Sequence, residues 1–83
     1  MNLQDLHTKS VKNKKEILNS NKCGCFNCCN IFEAKKVTRF SEEMDGDSTG
    51  ICPTCGEDTL IPDSSYKGIT VELLNRMYEE FLS

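Results

Sequence analysis

CGCFNCC, residues 23–29, sets four cysteines within seven positions, and CPTCG, residues 52–56, adds two more in a chain of only 83 residues. Within these stretches Cys25-Phe-Asn-Cys28 and Cys52-Pro-Thr-Cys55 form two CxxC pairs separated by 23 residues. That is close to the CxxC, 15 to 20 residues, CxxC pattern of a four-cysteine zinc site. Two residues between thiolates permit a tight turn in which both sulfurs reach one ion at about 2.3 Å while backbone N–H groups of the turn donate to them. Gly56, directly after Cys55, suits the point where such a turn curls back. Four thiolates without an imidazole favour Zn²⁺, with iron the main competitor. They also fill the tetrahedron, so the metal expected at Cys25, Cys28, Cys52 and Cys55 is structural rather than catalytic.

Size explains why a metal is needed. A chain this short makes one domain with a thin interior, because small domains bury a lower share of their unfolded surface. The 37% hydrophobic fraction overstates the core, since it includes the six cysteines. Disulfides or a metal usually make up the difference. The opening MNLQDLHTKSVKNKKEILNS has neither the apolar run nor the cleavage signature of a secretory signal, and no stretch approaches the roughly 20 apolar residues of a membrane span. The expected compartment is therefore the reducing cytoplasm, where paired cysteines hold metal more often than they form disulfides.

Outside the pairs, Leu3, Leu6, His7, Ser10, Val11, Lys14, Ile17 and Leu18 fall on one side of a helical wheel, predicting an amphipathic helix over about 3–19. A ribbon over about 22–62 follows. Glu33-Ala-Lys-Lys favours a helical turn, and Val37 to Phe40 a short extended segment. SEEMDGDSTG, residues 41–50, reads as a surface loop, and GIC and DTLIPD as short strands on either side of the second cysteine pair. A final helix over about 70–82 has Thr70 as N-cap, Ile69 and Leu74 as a hydrophobic staple, and Val71, Leu74, Met77, Tyr78 and Phe81 as its apolar face. The fold class is thus α+β: a small four-cysteine zinc ribbon flanked by an N-terminal and a C-terminal helix within a single domain, 1–83.

The remaining candidates carry weaker signals. Cys23 and Cys29 break the two-residue spacing if used as ligands in place of Cys25 or Cys28, and read as small packing residues beside the site, with oxidation sensing as the functional alternative. His7, the only histidine, reads as a hydrogen-bonded packing residue. Net charge is -3, but residues 1–40 carry an excess of five positive charges and residues 41–83 an excess of eight negative ones. Such asymmetry fits ordinary solvation, two binding faces or head-to-tail self-association. Lys35, Lys36 and Arg39 interleave with Phe32 and Phe40 in a basic-aromatic patch of the kind that contacts nucleic acid. CPTC also matches a thiol redox pair in spacing, yet the residues after it read as a turn and strand rather than the helix such chemistry needs.

At the level of CxxC…CPxCG the chain resembles the zinc-ribbon class, whose members serve transcription, translation and protein contacts without a shared activity. More narrowly, KCGCFNC, then Phe32, CPTCG and a helix opened by Gly68-Ile69-Thr70, with Leu6-His7…Ser10 in front, resembles a group of small uncharacterised bacterial cytoplasmic proteins. In that group the place of Phe40 tends to carry tryptophan and that of Cys29 an aliphatic residue, which fits packing for Cys29. The resemblance implies fold and compartment but no activity. The expected function is a non-enzymatic binding module that contacts protein through one helix face, with nucleic-acid binding as the alternative and thiol redox chemistry behind it.

Overall fold

The computed structural model describes residues 2–83 and is α+β, with two small antiparallel sheets, helices toward both ends, and four cysteines clustered as in a zinc ribbon. In chain order the elements are α1 (Leu3–Thr8), α2 (Lys14–Leu18), β1 (Lys22–Cys25), β2 (Ile31–Glu33), a 3-10 turn (Ala34–Lys36), β3 (Phe40–Glu42), β4 (Ser48–Gly50), β5 (Leu60–Pro62) and α3 (Val71–Phe81). One sheet has the order β2-β1-β5, and β3 and β4 form the other.

The three-stranded sheet divides the interior. Side chains alternate across a strand, so Cys23 and Cys25 of β1, with Leu60 of β5, face a cluster that includes Ile17, Ala34, Val37 and Cys52. Phe26 and Ile61 face the opposite way, toward Leu6, Leu74 and Met77 of the helices. β5 is buried along its whole length because it has a core on each face. Gly24 is required by the same arrangement: a Cβ there would lie 2.7 Å from Ile69 Cγ2 and 3.0 Å from Leu74 Cδ1, so α3 sits directly on β1.

The N-terminal stripe does not form one helix. α1 ends at Thr8 and α2 begins at Lys14, with Lys12 between them in the left-handed region at φ 52°. The break serves Asn13. Its side chain is buried, donates from Nδ2 to Lys9 O (3.1 Å) and Leu60 O (2.9 Å), and accepts at Oδ1 from Gly50 N (2.9 Å). One amide thereby ties the outer edges of β4 and β5, which belong to different sheets. Beside it, Thr49 Oγ1 accepts from Lys12 N at 2.8 Å and donates to Glu43 Oε2 at 3.1 Å. A continuous helix would carry Asn13 away from both strands. Val11 and Leu18, expected on the apolar side of that helix, are 47% and 67% exposed.

Two further expectations change. Residues 41–50 are not a plain loop, for β3 and β4 pair with Phe40 opposite Gly50 and Glu42 opposite Ser48, and Gly46 turns the hairpin at φ 91°. Of the two strands expected around the second cysteine pair, DTLIPD contains β5, which pairs with β1, Gly24 opposite Ile61, whereas β4 pairs with β3 and ends at Gly50, leaving Ile51 and Cys52 outside it. The expected helical turn at Ala34–Lys36 is present as a 3-10 turn.

α3 starts as its sequence dictates, the Thr70 hydroxyl accepting from Leu73 N at 3.1 Å. Its buried face keeps Leu74, Met77 and Phe81 of the expected one, gains Leu73 and loses Val71 and Tyr78. Leu73, Leu74, Met77 and Phe81 pack inward, while Val71 (51%) and Tyr78 (36%) remain exposed. Replacing Asn13 with Ala strands buried backbone groups on β4 and β5 at once, so Asn13→Ala should cost about 2–4 kcal/mol, against about 1 kcal/mol for Thr70→Ala. Denaturant unfolding of the metal-loaded protein checks that order, and equal costs would mean that the Asn13 amide does not hold the sheets together.

Candidate metal centre

The first cysteine pair lies at the turn between β1 and β2, and the second lies between β4 and β5. Pairing of β5 with β1, extended by Phe26 N donating to Thr59 O at 3.0 Å, brings the second turn beside the first. Local bonding then shapes both turns identically. Cys29 N donates to Cys25 O at 2.8 Å, as Gly56 N does to Cys52 O at 2.9 Å. Cys25 N donates to Asn30 O, and Cys52 N to Glu57 O, each at 2.9 Å. Asn27 N lies 3.4 Å from Cys25 Sγ, and Thr54 N lies 3.4 Å from Cys52 Sγ.

Each turn needs a left-handed residue after its second cysteine. Gly56 adopts φ 80° and Cys29 adopts φ 61°. Cys29 thus holds in the first turn the place that glycine holds in the second, at the backbone cost usual for a residue with a Cβ. Its side chain packs against the Leu6, Phe26 and Leu74 cluster.

The sulfurs of Cys25, Cys28, Cys52 and Cys55 all lie within 4.8 Å of one another. Two edges run between the turns, Cys25 Sγ to Cys55 Sγ at 3.6 Å and Cys28 Sγ to Cys52 Sγ at 3.8 Å. Four sulfurs around one ion at about 2.3 Å would stand about 3.8 Å apart, and these two edges match that spacing, so the donor set could hold a tetrahedral metal ion. Cys25 and Cys52 are buried, whereas Cys28 and Cys55 are half-buried.

Donors surround the sulfurs. Besides the turn amides, which include Cys28 N at 3.4 Å from Cys25 Sγ, the Thr59 hydroxyl lies 3.0 Å from Cys25 Sγ, and Asn30 Nδ2 lies 3.6 Å from Cys28 Sγ. The sequence pattern marks the cysteines but not these partners, because Thr59 reaches the site only through strand pairing and asparagines near a turn are ordinary. Burial pushes the Cys25 and Cys28 thiols up from their usual range. Burial acts the same way on Cys55, but hydrogen bonds from the Asn27 side chain, the Glu57 backbone and the Cys25 and Cys52 thiols together outweigh it and bring Cys55 down to about 7. The Cys55 thiol is thereby the most easily deprotonated of the three, and Cys25 and Cys28 less so.

The other candidates lie elsewhere. Cys23 is fully buried among Ile17, Val37 and Leu60, and burial, with Asp63 and Cys52 nearby, pushes its thiol up to about 12. His7 lies against rings, 4.4 Å from Phe81 and 5.7 Å from Phe26 between centroids. Lys35 pairs with Glu33 at 3.2 Å, and Lys36 is exposed. Arg39 lines an open groove of about 390 Å³ beside the second turn, together with Cys52, Thr54 and Gly56. Phe32 and Phe40 pack against the metal-side cluster, and Lys14 Nζ stands 5.0 Å above the Phe40 ring. No helix among the described residues is long and apolar enough to cross a membrane. No protein-family model, curated protein or solved structure matches the chain.

Two outcomes follow from this geometry. Gly56→Ala meets no steric obstacle, since nothing lies within 4 Å of the added Cβ. Its cost should therefore be the backbone term alone, about 1–2 kcal/mol with metal stoichiometry unchanged; a larger loss in a denaturant titration would show that the turn needs glycine for another reason. Metal binding must also displace protons from the raised Cys25 and Cys28 thiols. Affinity should accordingly fall by at least about tenfold for each pH unit lost below neutrality, measured by competition with a chromophoric chelator, and a pH-independent affinity would exclude thiolate ligation.

Proposed function

We propose that the chain is a structural-zinc binding module of the reducing cytoplasm, and that it contacts protein through the outer side of α3. The observation that carries this reading is the cluster of four sulfurs within 4.8 Å of one another, with amide donors around it. A soft all-thiolate set favours zinc, and four protein ligands leave no position for a water or a substrate. When bound, the ion supplies a cross-link between the two cysteine turns. The chain's own residues supply the rest: the amides of Asn27, Cys28 and Thr54 and the Thr59 hydroxyl spread the sulfur charge. All six thiols are free of disulfides, which fits a compartment that keeps thiols reduced.

Protein contact is favoured over nucleic acid by where the aromatic rings sit. Phe32 and Phe40 pack against the core, and Lys35 is shared with Glu33, so the patch offers little open ring surface for bases. α3 instead leaves Val71, Tyr78 and Leu82 outward. Thiol redox chemistry would call for a cysteine at a helix N-terminus, and neither pair precedes a helix.

Zinc binding to such sites contributes about 10–16 kcal/mol, whereas a core of this size supplies about 3–5 kcal/mol. Native mass spectrometry should find one zinc per chain. Addition of a strong chelator should abolish the cooperative unfolding transition followed by circular dichroism. A chain that stays folded and cooperative with no metal bound would defeat the structural-zinc reading, while unchanged partner capture by Val71→Asp would defeat the role of α3.

A further inference from the structure

The four clustered sulfurs are not equivalent. Cys25 and Cys52 are buried, whereas Cys28 and Cys55, the second cysteine of each turn, are half-buried. A small polar oxidant arriving from water therefore meets Cys28 or Cys55 first. The short sulfur-to-sulfur edges join these two classes across the turns: half-buried Cys55 lies 3.6 Å from buried Cys25, and half-buried Cys28 lies 3.8 Å from buried Cys52. The two edges share no sulfur. Each can contract to the disulfide length of about 2.05 Å, by a movement of less than about 2 Å divided between two side chains, without using an atom that the other needs.

The two remaining thiols are held apart from this set. Cys23 is fully buried among Ile17, Val37 and Leu60 and stands outside the four-sulfur cluster. Cys29 turns to the opposite core, against the cluster of Leu6, Phe26 and Leu74. The six thiols thus comprise two reactive pairs and two bystanders. Pairing also decides what oxidation does to the fold. A bridge within a turn joins positions only three apart and leaves the two turns independent. Bridges between the turns span separations of 30 and 24 residues and join the same two places that one metal ion would join.

We propose that Cys28 and Cys55 are oxidised by hydroperoxides, and that Cys52 and Cys25 respectively resolve them into two inter-turn disulfides that replace a bound ion as the cross-link. The proposal rests on the structural-zinc reading and adds a modification to the same four residues. In each pair the sulfur of Cys28 or Cys55 attacks one peroxide oxygen. The O–O bond breaks, a sulfenic acid forms, and the other oxygen leaves as alcohol or water. The buried sulfur then attacks the sulfenic sulfur; the S–S bond forms, the S–O bond breaks, and that oxygen departs as water. Each pair gives up two electrons to one peroxide, and the protons taken up by the leaving oxygens come from the two thiols, or from solvent where the sulfurs were thiolates on a metal. Sulfurs joined in disulfides carry no charge and no longer hold zinc, yet the turns stay joined. The reaction is a stoichiometric modification that a dithiol reverses, not catalytic exchange.

The test treats the zinc-loaded full chain with hydrogen peroxide, removes the excess with catalase, blocks remaining thiols with a maleimide in denaturant, and digests with trypsin. Cleavage after Lys22, Lys35, Arg39 and Lys67 leaves the first turn in peptide 23–35 and the second in peptide 40–67. The expected product is these two peptides covalently joined, with maleimide at Cys23 and Cys29 and fragmentation placing the bridges at Cys25–Cys55 and Cys28–Cys52. Released zinc, read with a chromophoric chelator, should rise as about two peroxides are consumed for each ion. The oxidised chain should keep a cooperative unfolding transition in the chelator and lose it when a dithiol is added. Thiols that survive peroxide, separate peptides with bridges inside each turn, crossed bridges, a bridge at Cys23 or Cys29, linkage between chains, or an oxidised chain that unfolds in the chelator would each overturn the proposal. The reduced chain in chelator tests the structural-zinc reading by itself, whatever bridges form, so the two failures are separable.

Discussion

The arrangement depends on four sulfurs meeting at one point from two turns that are distant in sequence. Neither turn has much to rest on by itself. The first is the bend of a hairpin with three-residue pairing, and the second connects strands that belong to different sheets. Their shared geometry, down to matching amide-to-carbonyl bonds and a left-handed residue at the same place, positions each pair of thiols. Pairing of β5 with β1 then sets the pairs face to face. The site is a product of local turn chemistry and one long-range strand register.

That register also creates two half-cores. Because β1 places cysteines on one face and Gly24 and Phe26 on the other, the sulfur cluster sits in the same apolar layer as Ile17, Val37 and Leu60, while α1 and α3 close the second layer. Loss of order at the sulfurs would therefore reach the helices through a strand only four residues long. Cys23, one residue on from the exposed start of β1, contributes to this continuity as an apolar filler, with its thiol held protonated by burial.

Much of this was legible in residue spacing, and the exceptions have identifiable causes. CxxC spacing brought out the four clustered cysteines because the turn is local and its hydrogen bonds need no distant partner. Thr70 and Ala34–Lys36 were readable for the same reason. What spacing could not reveal was Asn13, an unremarkable polar residue in an otherwise helical pattern, whose three buried partners lie at Lys9, Gly50 and Leu60. A tertiary demand overrode helical periodicity there. Similarly, Val71 and Tyr78 satisfy a helical pattern as well as Leu73 does, and the face actually buried was decided by where Gly24 lets the helix approach. The β3–β4 hairpin was hidden by polar residues with low strand preference, and it forms where Asn13 and Thr49 draw β4 toward the segment joining the first two helices.

The placement of the Asn13 amide has a temporal consequence. A chain synthesised from its N-terminus exposes residue 13 long before its acceptor at residue 60 exists, and until then water takes the place of that acceptor. The N-terminal segment can accordingly lock onto both sheets only once β5 has been made. A complete set of four sulfurs exists only after residue 55 has been added, so an ion can be fully enclosed only late in synthesis or after it.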